Sequence, residues 1–232
     1  MNPHLSVVIP CFNEAGKIAA DIRAALDYFE ARGYSFELIL VDDGSSDQTP
    51  ELLTQRSSAT VRAVCYRPNR GKGCAVRTGM LEARGKYRLF ADAGLCVPFA
   101  EIEKGLALLE AGADVAIASR KLAASQIVES QPGYRQAGSA IFGWLVRNWM
   151  GLRYTDTQCG FKLFTAQAAE QLFSAARIDG FMFDAETLIN ARKFGLTVRE
   201  FPVEWRADPD SRYKPFSGSL RNLLELARIQ LQ

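Results

Sequence analysis

A short apolar run, Leu38–Val41, ends in two adjacent carboxylates, Asp42 and Asp43, followed by Gly44, Ser45 and Ser46. Four continuous apolar residues with β-branched members fit a strand covered on both faces, the kind found inside parallel sheets. Gly44 to Ser46 turn the chain, and Asp47 is placed to cap a helix through Thr49, Leu52 and Leu53. In an open α/β sheet the carboxyl ends of the strands form the ligand-binding edge. Two acids there need hydrogen-bond donors, since an uncompensated buried carboxylate is costly. Ribose hydroxyls and base N–H groups would suit. By itself the motif also fits a plain polar turn closed by two solvated aspartates.

The flanking chain supports the sheet. Leu5–Pro10 predicts a buried strand, and Glu14–Arg32 a helix with Ile18, Ile22, Ala25, Leu26 and Phe29 on one face, stopped by Gly33. A helix over Pro50–Ser57, a strand Val61–Tyr66, a helix Cys74–Arg84, a strand Tyr87–Ala91, a helix Phe99–Glu110 and a strand Asp114–Ser119 follow. This alternation with short joints predicts a mostly parallel central sheet flanked by helices. Polar groups recur just after the strands: Asn13 and Glu14, Asp42 and Asp43, Arg70 and Lys72, and Asp92. Carboxylates take hydroxyls while Lys and Arg take phosphate, so such an edge suits a ligand carrying both. A Walker loop and a G-x-G-x-x-G fingerprint are absent, which counts against ATP hydrolysis and Rossmann dehydrogenase chemistry.

Beyond Arg120 the composition changes. Lys121–Arg135 reads as a polar loop and Gln136–Met150 as a helix apolar over most of its circumference. Asp156–Phe164 reads as a turn entering a short strand. Phe183–Phe194 reads as a helix carrying Asp184 and Glu186, and Thr197–Trp205 as one strand. A polar loop, Arg206–Pro215, leads to a last helix with Phe216, Leu220, Leu223, Leu224 and Ala227 on its apolar stripe.

Composition narrows the chemistry. The net charge of +2 gives no general attraction for nucleic acid. The one histidine, His4, lies near the terminus, so histidine triads and histidine-rich metal sites are excluded. Five cysteines without a C-x-x-C pair fit reduced thiols rather than a disulfide frame or zinc site. With no signal peptide before Leu5, and an apolar stretch Ala140–Leu152 shorter than the ~18 residues a bilayer needs, the expectation is a cytoplasmic chain.

Several segments together resemble a family. Val7–Glu14, Val41–Asp47, Asn69–Gly73 and Phe90–Ala93 look like the nucleotide-binding half of inverting glycosyltransferases of the GT-A fold. Ala118–Arg120, Arg135 with Ser139, Asp156–Lys162, Phe183–Glu186, Val203–Trp205 and the Ser219–Arg221 helix are similar to dolichyl-phosphate β-glucosyltransferases and polyprenyl-phosphate sugar synthases. The resemblance spans about residues 5–230. It implies one GT-A domain over 1–232, with a nucleotide-binding half at 5–119 and an acceptor half at 120–232.

The resemblance also implies roles. Pro10, Asn13, Glu14, Asp42 and Asp43 would line the base and ribose pocket, with Lys72 nearby. Asp92 takes the first position of the family's D-x-D, whose acids hold Mg²⁺ or Mn²⁺ on the donor diphosphate. Arg120 and Arg135 would hold the lipid phosphate and the diphosphate, with Ser139 near them and Gln158–Lys162 beside the sugar. Gly94 replaces the second acid of D-x-D, which removes a hard oxygen ligand and a charge. Three consequences are open: weak metal binding through Asp92, replacement of the ion by Arg120, Arg135, Arg212 and Lys214, or lost activity with retained binding. Restoring an aspartate at 94 is expected to tighten metal binding. The implied reaction is inverting transfer of a hexose from a nucleotide sugar, UDP-glucose before GDP-mannose, to a polyprenyl phosphate at a membrane surface. A soluble or protein acceptor, and a nucleotide-sugar binder without turnover, are the alternatives.

Overall fold

The computed structural model describes residues 2–129, 143, 146, 148–208 and 219–231. In the first half β1 (Leu5–Cys11), α1 (Ile18–Ala31), β2 (Phe36–Asp43), α2 (Thr49–Gln55), β3 (Val61–Tyr66), α3 (Lys72–Glu82) and β4 (Tyr87–Ala91) alternate as expected. A 3-10 turn at Phe99–Glu101 leads into α4 (Ile102–Glu110) and β5 (Val115–Ser119). The second half contains β6 (Gln126–Glu129), β7 (Phe161–Thr165), α5 (Ala166–Ala175), α6 (Phe183–Lys193), β8 (Val198–Pro202), β9 (Glu204–Arg206) and α7 (Ser219–Gln230).

The sheet runs β3-β2-β1-β4-β7-β5-β8. β1 pairs in parallel with β2 and β4, β2 with β3, and β5 with β8. β7 runs antiparallel to both neighbours, β4 and β5. Period-2 alternation sends Leu5, Val7, Ile9, Leu38 and Leu40 to one face, against Ile18, Ile22 and Phe29 of α1 and Ile102 and Leu106 of α4. Val8, Ile39, Val41 and Phe90 point to the other, against Ala75, Val76 and Met80 of α3 and Phe183 and Leu188 of α6. The central strands β1, β2 and β4 are thus walled on both sides. In register Cys11 lies beside Asp42, and Asp43 beside Tyr66, so three strands end level.

Four expectations differ from the structure. Ala166–Ala175 is helical although no helix was expected there; Thr165 Oγ1 starts it by accepting from Ala168 N at 3.2 Å. The loop expected over Lys121–Arg135 contains β6, which pairs in parallel with β9. The single strand expected over Thr197–Trp205 breaks at Val203, and its two parts join different sheets. In α7, Leu223 and Leu224 are exposed while Asn222, Glu225, Leu226 and Ile229 are buried. Two polar residues occupy the inward face there, so an apolar stripe selects the wrong side.

Glu225 has a task in that interior: Met182 N donates to its Oε2 at 3.2 Å. Glu186 is also fully buried and accepts from Arg177 N and Ile178 N, each at 2.9 Å. These carboxylates fix the 177–182 turn, on which the first turn of α3 rests through Cys74 N donating to Asp179 O at 3.1 Å. Glu186→Ala would leave the buried Ile178 N–H without its acceptor and take a charged partner from Arg177 N nearer the surface. A loss of about 1–3 kcal/mol is expected in urea denaturation, and Glu186→Gln, which keeps one acceptor, should lose less.

Candidate active site

The paired acids at the end of β2 find donors within the chain. Asp42 accepts from Ser45 N at 3.2 Å. Asp43 accepts from Arg70 N at 2.8 Å, Gly71 N at 2.9 Å and Asn69 Nδ2 at 2.8 Å, and Asn69 also bonds Asp43 O. Both carboxylates are buried. Asn13, with φ of 53°, reaches across from the end of β1, where its Oδ1 accepts from Ser46 N at 2.7 Å. Asn13 N donates to Ser45 Oγ at 2.7 Å and Glu14 N to Thr49 Oγ1 at 2.8 Å. Pro10 lies half-buried in β1 beside this frame. Asp47 accepts from Thr49 N and Oγ1 at 3.0 and 2.6 Å and from Ala15 N at 3.2 Å. Asn69 is the residue here that sequence reasoning missed; an Asn-Arg-Gly turn carries no signal that names its partner.

Because Asp43 fixes Gly71, the next residue, Lys72, starts α3 at the edge. Its Nζ lies 2.6 Å from Asp92 Oδ1, above the rings of Phe90 and Phe183 at 5.4 and 5.9 Å. Burial works against the Lys72 charge, but Asp92 and Asp184 outweigh it and hold its pKa above the usual lysine value. Asp92 N donates to Gly160 O at 2.8 Å, and a Cβ at residue 160 would run into the Asp92 carboxylate. The Cys-Gly-Phe turn is therefore shaped around Asp92. Lys162, expected beside a sugar, is fully buried and donates to Cys159 O at 2.6 Å and to Asp184 Oδ1. Gln158 stays available: its Nε2 is buried and has no hydrogen-bond partner among the described residues.

Arg120, just past β5, is held by a fork to Asp156, Nε to Oδ2 at 2.6 Å and Nη2 to Oδ1 at 2.9 Å. Its guanidinium sits 5.4 Å above the Trp205 ring. Burial pushes the Asp156 carboxyl up, but Arg120 prevails and brings it down to about 2. Arg120 is thus oriented before any ligand arrives. Arg135, Ser139, Arg212 and Lys214 lie outside the described residues.

Residues 6–173 match the description "Glycosyl transferase family 2". The chain belongs to that family. This glycosyltransferase is 31% identical to the dolichyl-phosphate β-glucosyltransferase of Dictyostelium discoideum, over 100% of this chain and 75% of that one. It is 34% identical to the Homo sapiens protein of the same name, over 98% and 75%. Among solved structures, glucosyl-3-phosphoglycerate synthase from Mycobacterium tuberculosis with Mn²⁺, UDP and phosphoglyceric acid superimposes with a TM-score of 0.71, at 18% identity, over 99% of this chain and 78% of that one. The same enzyme with Mn²⁺ and UDP-glucose gives 0.66 at 19%, over 97% and 79%. The glycosyltransferase has the GT-A fold.

The family's divalent ion finds a modified but fitting donor set. Asp92 offers one carboxylate, and beside Gly94 lies another, Asp208, paired with Lys17. Lysine ammonium ions stand against both acids, Lys72 on Asp92 and Lys17 on Asp208. Asp92 and Asp208 would hold the ion, with diphosphate oxygens and water completing a hard oxygen shell. Among the described residues no three ligating side chains cluster. Gly94 itself has φ of +95°, where a side chain is strained, and its N donates to Asp21 Oδ2 at 2.8 Å. An aspartate at 94 would also point at Asp208, so the gain in metal binding expected from restoring it is offset by strain and repulsion.

Two predictions follow from these contacts in the glycosyltransferase. Asp43→Ala leaves three donors of the 69–71 loop without their charged acceptor. A stability loss of at least about 1.5–3 kcal/mol is expected, with faster amide hydrogen exchange at Arg70 and Gly71; unchanged protection would contradict the clamp. For Asp21, burial pushes the carboxyl from 3.8 up to about 6, against the Gly94 N–H and Lys17, which favour the anion. Between those values the folded chain holds the extra proton, so stability falls as pH rises from about 4 to about 6 and stays lower above. Asp21→Asn keeps an acceptor for Gly94 and removes that slope. It should gain about 1–3 kcal/mol over wild type at pH 7 and nothing near pH 4, read from denaturation at both.

Proposed function

We infer that this glycosyltransferase moves glucose from UDP-glucose to a polyprenyl or dolichyl phosphate, with inversion at the anomeric carbon. The observation that carries this reading is identity above 30% over essentially the whole chain to enzymes named dolichyl-phosphate β-glucosyltransferase. The site agrees in kind: buried carboxylates at the strand ends for a nucleoside, and Lys72 and Arg120 for phosphates. UDP-glucose stands before GDP-mannose because those relatives are glucosyltransferases.

In this reaction an oxygen of the lipid phosphate attacks the sugar C1 from the face opposite the diphosphate. The C1–O bond to the diphosphate breaks, its electron pair stays on the leaving UDP, and one displacement gives inversion. The acceptor is already an anion, so no general base is needed. This leaves Asp184 and Glu186 free for the structural contacts they make. Bound divalent metal would supply charge neutralisation on the diphosphate. Lys72 shares that task from α3, and Arg120, pre-oriented by Asp156 and Trp205, presents the rest of its guanidinium to an anion. Gln158 Nε2 donates to a sugar hydroxyl. Asp42, Asp43, Asn13, Glu14 and Pro10 shape the nucleoside end, and Arg135 with Ser139 serves the acceptor phosphate.

A membrane-facing side accords with the acceptor. Trp149, Leu223, Leu224 and Leu231 are exposed, and Gln230 Nε2 ties α7 to Trp149 O at 2.9 Å. No described helix is long and apolar enough to cross a bilayer.

The test is transfer of labelled sugar to a short polyprenyl phosphate in detergent, with UDP-glucose and GDP-mannose in parallel and phosphoglyceric acid as the soluble acceptor. Glucosyl lipid from UDP-glucose alone is expected. Transfer to phosphoglyceric acid but not to lipid would replace the acceptor, and donor binding without turnover would leave a binding protein. Arg135→Ala should lower kcat/KM for the lipid phosphate by about 10- to 100-fold, with UDP affinity changed much less. Arg135→Lys should recover only part, because a point charge does not reproduce the two-pronged contact.

A further inference from the structure

We propose that Asp208 supplies, from the far end of the chain, the carboxylate that Gly94 lacks, so that a divalent cation bound with the donor diphosphate is held between Asp92 and Asp208. The proposal rests on the donor reading above and adds to it a ligand that the local motif does not contain.

A Cβ built on Gly94 points at Asp208, 3.2 Å from its Oδ2 and 3.3 Å from its Cγ. The Asp208 carboxylate therefore fills the space into which a side chain at 94 would project. It is brought there by a strap following β9. Arg206 N donates to Cys96 O at 2.9 Å and Ala207 N to Glu129 O at 3.1 Å, which ties residues 206–208 alongside 94–96. Both Asp92 and Asp208 act on the Cys96 thiol, so the two acids flank one short turn.

A cation already stands at this place. Lys17 Nζ would lie 3.4 Å from the same Cβ, paired with Asp208 and 3.1 Å from Glu14 Oε2. A lysine ammonium on a flexible stem is a mobile point charge. Without donor, Lys17 keeps Asp208 at position 94. When a divalent ion arrives with the diphosphate, Asp208 turns to it and Lys17 retains Glu14. The second carboxylate thus comes from a position more than a hundred residues along the chain from Gly94.

Mn²⁺ binding decides it, followed by electron paramagnetic resonance of the free ion, with and without UDP. Wild type should bind Mn²⁺ more tightly when UDP is present. Asp208→Asn, which keeps the shape, should weaken Mn²⁺ binding with UDP by at least about tenfold, while UDP affinity in EDTA stays within about threefold. The double variant Lys17→Met/Asp208→Asn should remain weak, since the ligand is still missing. Wild-type Mn²⁺ affinity in Asp208→Asn would overturn the proposal. So would recovery in the double variant, which would show that Asp208 acts only by restraining Lys17. Wild type that gains nothing from UDP would overturn the donor reading and this inference together, whereas a UDP-dependent wild type with indifferent variants overturns this inference alone.

Discussion

The site depends on how one buried carboxylate is satisfied. Asp43 ends β2 inside the protein, and its oxygens take two backbone N–H groups and a side-chain amide from residues 69–71. Those bonds decide where the 69–71 loop lies and therefore where α3 begins. Lys72, the first residue of α3, then lands on Asp92 at the end of a strand two places along the sheet. A hydrogen bond to a charged group contributes more than one between neutral groups. Three around one carboxylate give the loop little freedom. The edge is thus assembled outward from Asp43, with Asn13 tying the β1 end into the same frame.

The second half uses charge differently. Glu186, Glu225 and Asp184 all lie in the interior, each beside a backbone N–H or an ammonium. Lys162 with Asp184 is a fully buried ion pair beneath the Lys72–Asp92 pair. Such a pair gains little net stability, because desolvating two ions offsets their attraction. What it does provide is a fixed floor: Phe90 lies within 6.0 Å of both ammonium groups. With those carboxylates committed to architecture, Lys72, Asp92 and Arg120 are left as the charged groups at the edge.

How much was legible in the sequence follows from how local each cause is. The strand–helix alternation and the polar groups after each strand are written in contiguous residues, and both stand in the structure. β7 could be read as a strand, but not as an antiparallel one between β4 and β5, because pairing is a long-range choice. The α5 helix begins at a threonine within a run of small residues, where the apolar period is weak. Glu225 defeats polarity counting, since its partner, Met182 N, is 43 residues away. Asp208 is the extreme case. Gly94 reads as a loss until the fold puts another acid beside it.

The sheet order carries a consequence for how the molecule comes into being. β4 and β5 are not neighbours; β7, which emerges from synthesis some seventy residues after β4, separates them. Until residue 165 is made, both strands present open hydrogen-bonding edges on which other chains can pair. The segment that gathers the polar groups at the strand ends is therefore not a self-sufficient unit in kinetic terms. Its closing strand arrives late and must be inserted, a non-local step that slows folding and lengthens exposure of those edges. Asp92 and Gly160 meet only at that insertion, so the polypeptide gains a competent site and a sealed sheet in the same event.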